Sequence, residues 1–371
     1  MEVKEWTAQE RASVRQIRES LTEAADFSDG FILRFLRTKN GSVSEVKEAL
    51  VKTAVFRKAW QLDGDLKEHY NRLQVNYNRF DFMGEDAEGH PLIYCQLGRQ
   101  DVVGLAKCSN AYQYIRYSLA RLEEGLRRCE EAAKKKEVPY LGATLVMDLE
   151  GMTTETYGFK VGYNSFLTVT AMQKEHYPFP YRKIIAINAP SIAGYAYSIV
   201  SPLLSEEITG VVEIPAQDWQ EVLRQYINPD TWPQKLGGQL ENLTKFPPES
   251  GAVPESEYLD SEHGLLEPTE ATVYAGEGHK VELEAVEAGS RLDFAYKTTA
   301  EDLGFAVSFQ GSVEDEEREV ILPSVRMECA HLAVRGSLPL PKAGKYVVEF
   351  DNSYSWFNSK ELKYSLNVVK E

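Results

Sequence analysis

The hydrophobic positions of this chain repeat with two different periods, and the change between them divides the sequence. Over residues 1–65, apolar side chains recur at helical spacing, as they do at Val46, Leu50 and Ala54. Over residues 66–240, short β-branched runs alternate with helical segments. Strands that alternate with helices are typical of a mostly parallel sheet with helices packed on it. The pattern therefore predicts a helical amino-terminal part followed by an α/β domain.

The predicted sheet takes its strands from five short runs that are rich in apolar residues. These runs are Phe80–Phe82, Pro91–Cys95, Ala143–Leu149, Ile184–Ile187 and Val211–Ile214. The spacing between them predicts helices over residues 110–136, 155–173 and 219–226. In the amino-terminal part, Ser28 or Asp29 and Ser42 or Ser44 are suited to begin helices as N-caps.

One predicted helix differs from the others because it is apolar on nearly every side. It follows the Asn-Ala-Pro turn that begins at Asn188, contains Tyr195 and Ile199, and ends at Pro202. A helix of this kind is either buried or covers something apolar. The pattern leaves open whether it covers the protein core or a bound molecule.

After residue 240 the composition and the period both change. Residues 241–269 are rich in Pro, Glu, Ser and Gly, which predicts a linker. Over residues 270–371, apolar and polar side chains alternate, as in Val281–Glu284 and Tyr346–Phe350, and turn residues separate the runs. Several short strands joined by turns predict an antiparallel β-sandwich.

Composition and charge exclude several classes of function. Asp and Glu outnumber Lys and Arg by 57 to 41, which gives a net charge of −16. This balance argues against binding to nucleic acid and against a general attraction to anionic membranes. No apolar run approaches the roughly 18 residues of a membrane span. The four cysteines lack metal spacing and no apolar signal segment begins the chain, so reduced thiols in a cytoplasmic protein are expected.

The motifs that usually carry catalysis are missing from the sequence. It has no GxxxxGK[ST] phosphate loop, no HExxH and no GxSxG, and its six histidines show no metal-ligand spacing. Asp148 and Glu150 flank the end of a strand, but a general acid/base pair needs a positioned partner, and a turn acid and a helix cap explain them more simply. We predict no enzyme activity, no metal and no cofactor, and instead an apolar pocket for a hydrophobic molecule.

Six short motifs follow one another along the first 240 residues. They are Arg34–Arg37, Met147–Gly151, Tyr177–Pro178, Ile187–Pro190, Pro202–Ser205 and Trp232–Gly238. In this order they resemble the landmarks of the Sec14-like, or CRAL-TRIO, lipid-binding proteins. The resemblance implies a soluble carrier that moves a hydrophobic molecule between membranes or proteins, with the helix after Pro190 as the gate of its pocket.

The carboxyl-terminal region contains one further specific motif, Phe350–Trp356. It is similar to the GOLD domain of some animal members of the same family, which implies a jelly-roll-like β-sandwich. The implied partners are the hydrophobic molecule, a transient membrane surface and a protein that binds the GOLD domain.

Departures from the family pattern bear on the cargo. Members that bind phosphatidylinositol carry Glu directly after the Tyr-Pro pair and Lys early in the strand after the gate, where this chain has Phe179 and Val211. Around the end of the gate it has Ser201, Glu206 and Glu207 in place of basic residues. We therefore expect a neutral or weakly polar cargo, such as a retinoid (for example retinal) or a tocopherol-like lipid. The alternative is transfer of phosphatidylcholine or phosphatidylinositol, or a lipid-sensing adaptor.

The apolar pattern and the resemblance together indicate which residues line the pocket and the gate. They are Tyr94, Met147, Ser165, Phe166, Thr168, Val169, Ile187, Ile192, Tyr195, Ile199 and Val200. Ordinary core packing explains Met147 and Ile187 equally well. Ser165, Thr168 and Tyr195 could supply polar contacts to an aldehyde or hydroxyl. No Lys lies inside an apolar stretch, so we expect non-covalent binding.

Overall fold

Three helices form the amino-terminal part of the computed structural model, which describes residues 5–154, 158–215, 218–241, 251–310 and 318–370. They are α1 (Ala8–Ser20), α2 (Asp29–Thr38) and α3 (Val43–Ala59). The side-chain oxygen of Ser28 accepts a backbone N–H at the start of α2, and that of Ser42 does so at the start of α3. Of the alternatives open in the sequence, these two serines are therefore the N-caps.

A five-stranded sheet in the order β1-β2-β3-β4-β5 forms the centre of the α/β domain. Its strands are β1 (Phe80–Glu85), β2 (Pro91–Cys95), β3 (Ala143–Asp148), β4 (Tyr181–Ile187) and β5 (Val212–Glu213). β1 pairs antiparallel with β2, and all the other neighbours are parallel, as predicted. The helices of this domain are α4 (Arg72–Tyr77), α5 (Val102–Cys108), α6 (Ala111–Lys135), α7 (Lys160–His176), α8 (Ala193–Val200), α9 (Glu206–Thr209) and α10 (Trp219–Arg224).

Two elements depart from the bounds that the sequence pattern indicates. β4 begins three residues before the predicted strand, because Arg182 and Lys183 interrupt the apolar run without interrupting the backbone pairing. The helix predicted over residues 155–173 corresponds to α7, which begins at Lys160 and ends at His176. Residues 155–157 lie outside the described part of the chain.

The two faces of the sheet are made by alternate residues of its strands. One face carries Leu92, Tyr94, Val146, Ile185 and Ile187, and α10 and Trp232 pack on it. The opposite face carries Ile93, Cys95, Leu145, Met147, Ile184 and Ala186. The parallel pairing aligns Cys95 with Met147 and Met147 with Ala186, so that these side chains share one surface. We call the first surface the closed face and the second the gate face.

Two antiparallel four-stranded sheets form the carboxyl-terminal β-sandwich, in the orders β10-β9-β12-β7 and β11-β8-β13-β6. The strands are β6 (Thr269–Val273), β7 (Gly278–Ala285), β8 (Ser290–Thr298), β9 (Asp302–Gln310), β10 (Glu319–Glu328), β11 (Val334–Leu340), β12 (Gly344–Asp351) and β13 (Lys360–Val369). Aromatic rings join the sheets across the core: the Tyr296 ring centroid is 5.0 Å from that of Phe305 and 5.4 Å from that of Phe350. This sandwich confirms the predicted fold class and fits a GOLD domain.

The sandwich packs directly against α6 and α7 of the α/β domain. The rings of Tyr112 and Phe294 are 5.2 Å apart, and one buried apolar cluster runs through both domains. Thr168 Oγ1 donates to the Arg326 carbonyl at 3.1 Å. Part of the predicted linker also lies on the α/β domain, since the Val253 amide donates to Asp101 Oδ2 at 2.9 Å. Among the described residues, no helix has both the length and the hydropathy to cross a bilayer.

Candidate ligand-binding site

The two faces of the sheet differ in how completely their side chains are buried. On the closed face, Tyr94, Val146 and Ile187 are 0 % exposed, so this surface is filled by protein. On the gate face, Met147 and the neighbouring Leu97 are only partly buried. Apolar side chains that keep accessible surface at the centre of a domain border space that protein atoms do not fill. The gate face is therefore the surface on which a ligand can lie.

A buried carboxylate fixes the backbone where β4 leads to the gate. Asp148, which is 1 % exposed, accepts the Tyr94 hydroxyl at 2.7 Å, Asn188 Nδ2 at 2.9 Å and the Glu150 amide at 3.0 Å. Asn188 adopts a φ of 51°, a left-handed conformation that Asn tolerates better than most residues. The contacts made by Asp148 are thus those of a residue that positions the turn.

Helix α8 presents an apolar surface to the outside of the molecule. Its buried residue Ala193 packs in a cluster with Ala186 of the gate face, which anchors one side of the helix. Tyr195 and Ile199 are 68 % and 47 % exposed, and Phe166 of α7 and Leu203 after α8 are also exposed. Exposed apolar side chains that lie close together usually mark a binding surface.

Two tyrosines reveal accessible surface deep inside the α/β domain. Burial raises the pKa of Tyr181 on β4 to about 12, and burial also raises the pKa of Tyr114 on α6. Both side chains nevertheless keep partial accessibility. Tyr181 borders a small cavity between α2, α6 and the sheet. Gln173 of α7 lies beside Tyr181, and a hydrogen bond between the two side chains partly offsets the effect of burial on the pKa of Tyr181.

Two cavities lie beside the amino-terminal helices. An enclosed one of about 30 Å³ lies between α2, α6 and the sheet, next to Leu122, Cys129 and Tyr181. It holds no more than about one water molecule. A wider groove of about 660 Å³ runs between α1, α2 and α6, but charged residues such as Arg18 and Glu130 line it. Neither cavity suits an apolar cargo.

The cations nearest to the gate face are already held by other protein groups. Arg121 donates to Asp81 and Glu124, and Arg34 donates to the carbonyls of Leu141 and Phe179. Lys183 points to the closed face, where it pairs with Glu213. A phosphate on the gate face would have to compete with these partners or lie unpaired, and both are costly.

The residues that replace the phosphatidylinositol-binding groups lie in apolar packing. The ring of Phe179 stacks on Tyr140 with 6.1 Å between centroids, and Val211 is buried beside the gate face. Glu206 and Glu207 occupy the first turn of α9, where the helix dipole stabilises carboxylates. The surroundings of the gate thus offer negative rather than positive charge to a headgroup.

The structure separates the predicted site residues into three groups. Met147 lies on the gate face, Phe166 and Ser165 lie on α7, and the remaining gate candidates lie on α8 or at its start, namely Ile192, Tyr195, Ile199 and Val200.

The second group, Tyr94 and Ile187, lies on the closed face. The third, Thr168 and Val169, contacts the β-sandwich or the cluster shared with it. The four residues of the second and third groups therefore have other packing partners.

Sequence reasoning missed the internal tyrosines, Gln173 and Leu97. The pairing of β3 with β4 is irregular between Ala143 and Thr144, and simple alternation would place Tyr181 on the closed face. Gln173 and Tyr114 are polar residues within amphipathic helices, and nothing in their spacing distinguishes them from solvent-facing positions. Only the assembled domain brings Gln173 next to Tyr181.

Comparisons with known proteins identify the family. Residues 77–238 match the model of the CRAL/TRIO domain. The chain is 36% identical over 373 residues to Protein ctg-1 of Caenorhabditis elegans, an alignment that covers 98% of this chain and 97% of that protein. It is also similar to the crystal structure of Sfh5, with a TM-score of 0.51, 14% identity, and coverage of 67% of this chain and 93% of that one. The chain therefore belongs to the CRAL-TRIO family, whose members bind and transfer hydrophobic lipids.

Proposed function

We propose that the protein carries one neutral or weakly polar lipid, such as a retinoid or a tocopherol-like molecule, between the gate face and helix α8. The observation that carries the proposal is the difference between the two faces of the sheet. The closed face is fully packed, whereas the gate face keeps accessible apolar surface beneath a helix whose outer side is apolar too. We further propose that α8 moves to admit the cargo and that the carrier exchanges it with membranes or proteins.

The polar groups near the internal space suit a hydroxyl or carbonyl group on the cargo. The Nε2 of Gln173 can donate a hydrogen bond, and the hydroxyls of Tyr181 and Tyr114 can donate or accept one. A polar group on the cargo that pairs with these buried side chains would gain specificity as well as affinity. Binding is non-covalent in this proposal, because these groups are neutral amides and phenols.

Apolar burial is sufficient for useful affinity. A cargo that buries about 400 Å² would gain on the order of 10 kcal/mol before the costs of association. All four cysteines are buried free thiols in the structure, which agrees with the cytoplasmic location that we propose.

A loading experiment tests the proposal against the phospholipid alternative. Delipidated protein is incubated with vesicles that contain retinol, α-tocopherol, phosphatidylcholine and phosphatidylinositol, and is then re-isolated and extracted. We expect close to one retinol or tocopherol per chain and little phospholipid. Preferential loading of either phospholipid would overturn the assignment of a neutral cargo.

The variant Gln173→Leu tests the polar anchor. We expect it to bind a cargo with a hydroxyl group about tenfold more weakly, because one hydrogen bond to a buried group is lost. Binding of a hydrocarbon of the same length should change little. Equal effects on the two ligands would argue against Gln173 as the anchor.

A further inference from the structure

A pair of adjacent aromatic side chains projects from one end of the β-sandwich. Trp356 and Phe357 lie between β12 and β13 and are 87 % and 91 % exposed. Tyr274, in the neighbouring turn between β6 and β7, is exposed as well. Three exposed aromatic residues on two adjacent turns form an apolar surface that folding itself does not require. We call it the aromatic tip.

The backbone beneath the aromatic tip is held firmly in place. Asn352 is 0 % exposed, and its Nδ2 donates to the carbonyls of Val273 and Tyr274 at 3.2 Å and of Asn358 at 2.9 Å. Ser355 Oγ donates to the Asn358 carbonyl at 3.0 Å and accepts the Asn358 amide at 3.2 Å. The loop thus presents Trp356 and Phe357 in a fixed arrangement. Binding of a partner to these side chains would therefore cost the loop little conformational entropy.

The two cations beside the aromatic tip are both paired with one carboxylate. Lys360 and Arg326 both pair with Asp302, and the Arg326 guanidinium also lies 3.7 Å from the Tyr354 ring centroid. The tip therefore offers no free cation from this cluster to an anionic surface. Trp and Tyr, with an apolar body and a polar edge, are the residues that favour the boundary between the headgroups and acyl chains of a bilayer.

A short series of contacts connects the aromatic tip with the gate. The Tyr354 hydroxyl donates to Asp302 Oδ1 at 2.8 Å, and the adjacent Glu301 pairs with Lys160, the first residue of α7. Phe166 follows six residues later, about 9 Å along the helix. Helix α7 in turn contacts the turn after α8 that contains Leu203. The contacts of the tip thus reach the first residue of α7, a helix that also contacts the turn after α8.

We propose that the aromatic tip is a membrane-docking site that inserts Trp356 and Phe357 into the interface of a zwitterionic bilayer while the gate faces the same surface. This inference rests on the proposed carrier function, because a carrier must meet a membrane to exchange its cargo. The net charge of −16 favours zwitterionic over anionic lipid, and the cations at the tip are already paired with Asp302. Docking by the tip would hold α8 close to the membrane during exchange.

The test uses the full chain and phosphatidylcholine vesicles that contain brominated acyl chains. Trp356 is exposed and Trp6 is half-buried, whereas Trp60, Trp219 and Trp232 are buried. We expect vesicles to quench the fluorescence of the wild-type protein and W356A/F357A to partition into vesicles at least tenfold more weakly. Partitioning should not weaken with salt, since no charge pairing drives it. The matched control is V286A, which removes another solvent-exposed apolar side chain from the turn at the opposite end of the sandwich.

Two readouts separate this proposal from the carrier function. Lipid occupancy, measured by extraction, should be the same in the wild type, W356A/F357A and V286A, because the tip lies outside the pocket. The conservative variant W356F should retain most of the partitioning while losing the quenching signal. Equal partitioning of the wild type and W356A/F357A would overturn the docking site, whatever the occupancy. Absence of lipid from the wild type would instead overturn the carrier function.

Discussion

At the scale of single residues, Asp148 shows how a family motif serves structure. Its carboxylate is buried and accepts three hydrogen bonds that join β2, β3 and the turn toward the gate. We expect Asp148→Ala to lower the free energy of unfolding by about 2–4 kcal/mol, because it leaves buried donors without an acceptor. Urea denaturation measures this loss.

The control for that variant is Tyr94→Phe, which removes one of the three donors. It should cost about 1 kcal/mol and leave lipid occupancy unchanged, because Tyr94 lies on the closed face. A loss of less than about 0.5 kcal/mol in Asp148→Ala would show that the carboxylate does not hold the turn.

The buried side chain of His176 should make the stability of the folded protein depend on pH. Burial lowers its pKa from 6.5 to about 4, while its Nδ1 lies 3.0 Å from Thr53 Oγ1 and its ring stacks on Phe56. Between these pH values the unfolded chain binds a proton that the folded chain excludes. The stabilisation from the neutral ring is therefore complete above pH 6.5 and declines as the pH falls toward 4, by up to about 3 kcal/mol. Denaturation of the wild type and of His176→Gln across this range gives the difference.

His176→Gln should be less stable than the wild type at neutral pH and approach it as the pH falls to 4. Parallel pH profiles for the two proteins would mean that His176 titrates normally in the folded state.

The sequence allowed some residues of the site to be predicted but not others. Met147 lies partly buried on the gate face, and core packing explains its pattern equally well. Tyr94 and Ile187 belong to strands that are apolar on both faces, and such runs carry no signal that tells one face from the other. The irregular pairing at Ala143 places Tyr181 on the gate face, whereas simple alternation along β4 would place it on the closed face.

At the scale of elements, the gate helix α8 is the part whose role can be tested most simply. We expect Ile199→Asp to reduce lipid occupancy at least tenfold, because it places a charge on the apolar outer surface of α8, past which we propose that the cargo enters. Ile199 is 47 % exposed, so the melting temperature should change little. Extraction and calorimetry on the same sample measure both quantities.

Ser198→Asp is the matched control, since it adds the same charge to an exposed neighbour on the same helix. It should leave occupancy near that of the wild type. Equal occupancy in Ile199→Asp and the wild type would remove α8 from the gate.

The hydrophobic pattern predicted the order of the elements. It left two candidates for each of two helix caps, and the hydrogen bonds in the structure select Ser28 and Ser42. The role of α7 did not follow, because Thr168 and Val169 look like pocket residues until the β-sandwich is placed beside them. Which side of a helix meets which neighbour is decided by tertiary contacts between domains that are far apart in the sequence.

At the scale of the whole molecule, the continuous core across the two domains predicts cooperative unfolding. A Cβ at Gly336 of β11 would lie 2.4 Å from Cε1 of Tyr112 and 2.6 Å from Cζ of Phe294. We expect the wild type to melt in one transition and Gly336→Ala to lose about 1–3 kcal/mol, because two packed rings must move. Calorimetry measures both effects.

Gly64→Ala is the control, since no heavy atom lies within 4 Å of the added methyl group. Its melting temperature should match that of the wild type. Two separate transitions in the wild type would show that the domains unfold independently despite their shared cluster.

Native mass spectrometry of the purified protein can determine whether the gate face holds a neutral lipid. We expect one bound molecule per chain, released on activation and identified by organic extraction as a retinoid, a tocopherol-like lipid or another neutral isoprenoid. Recovery of stoichiometric phosphatidylinositol would contradict it.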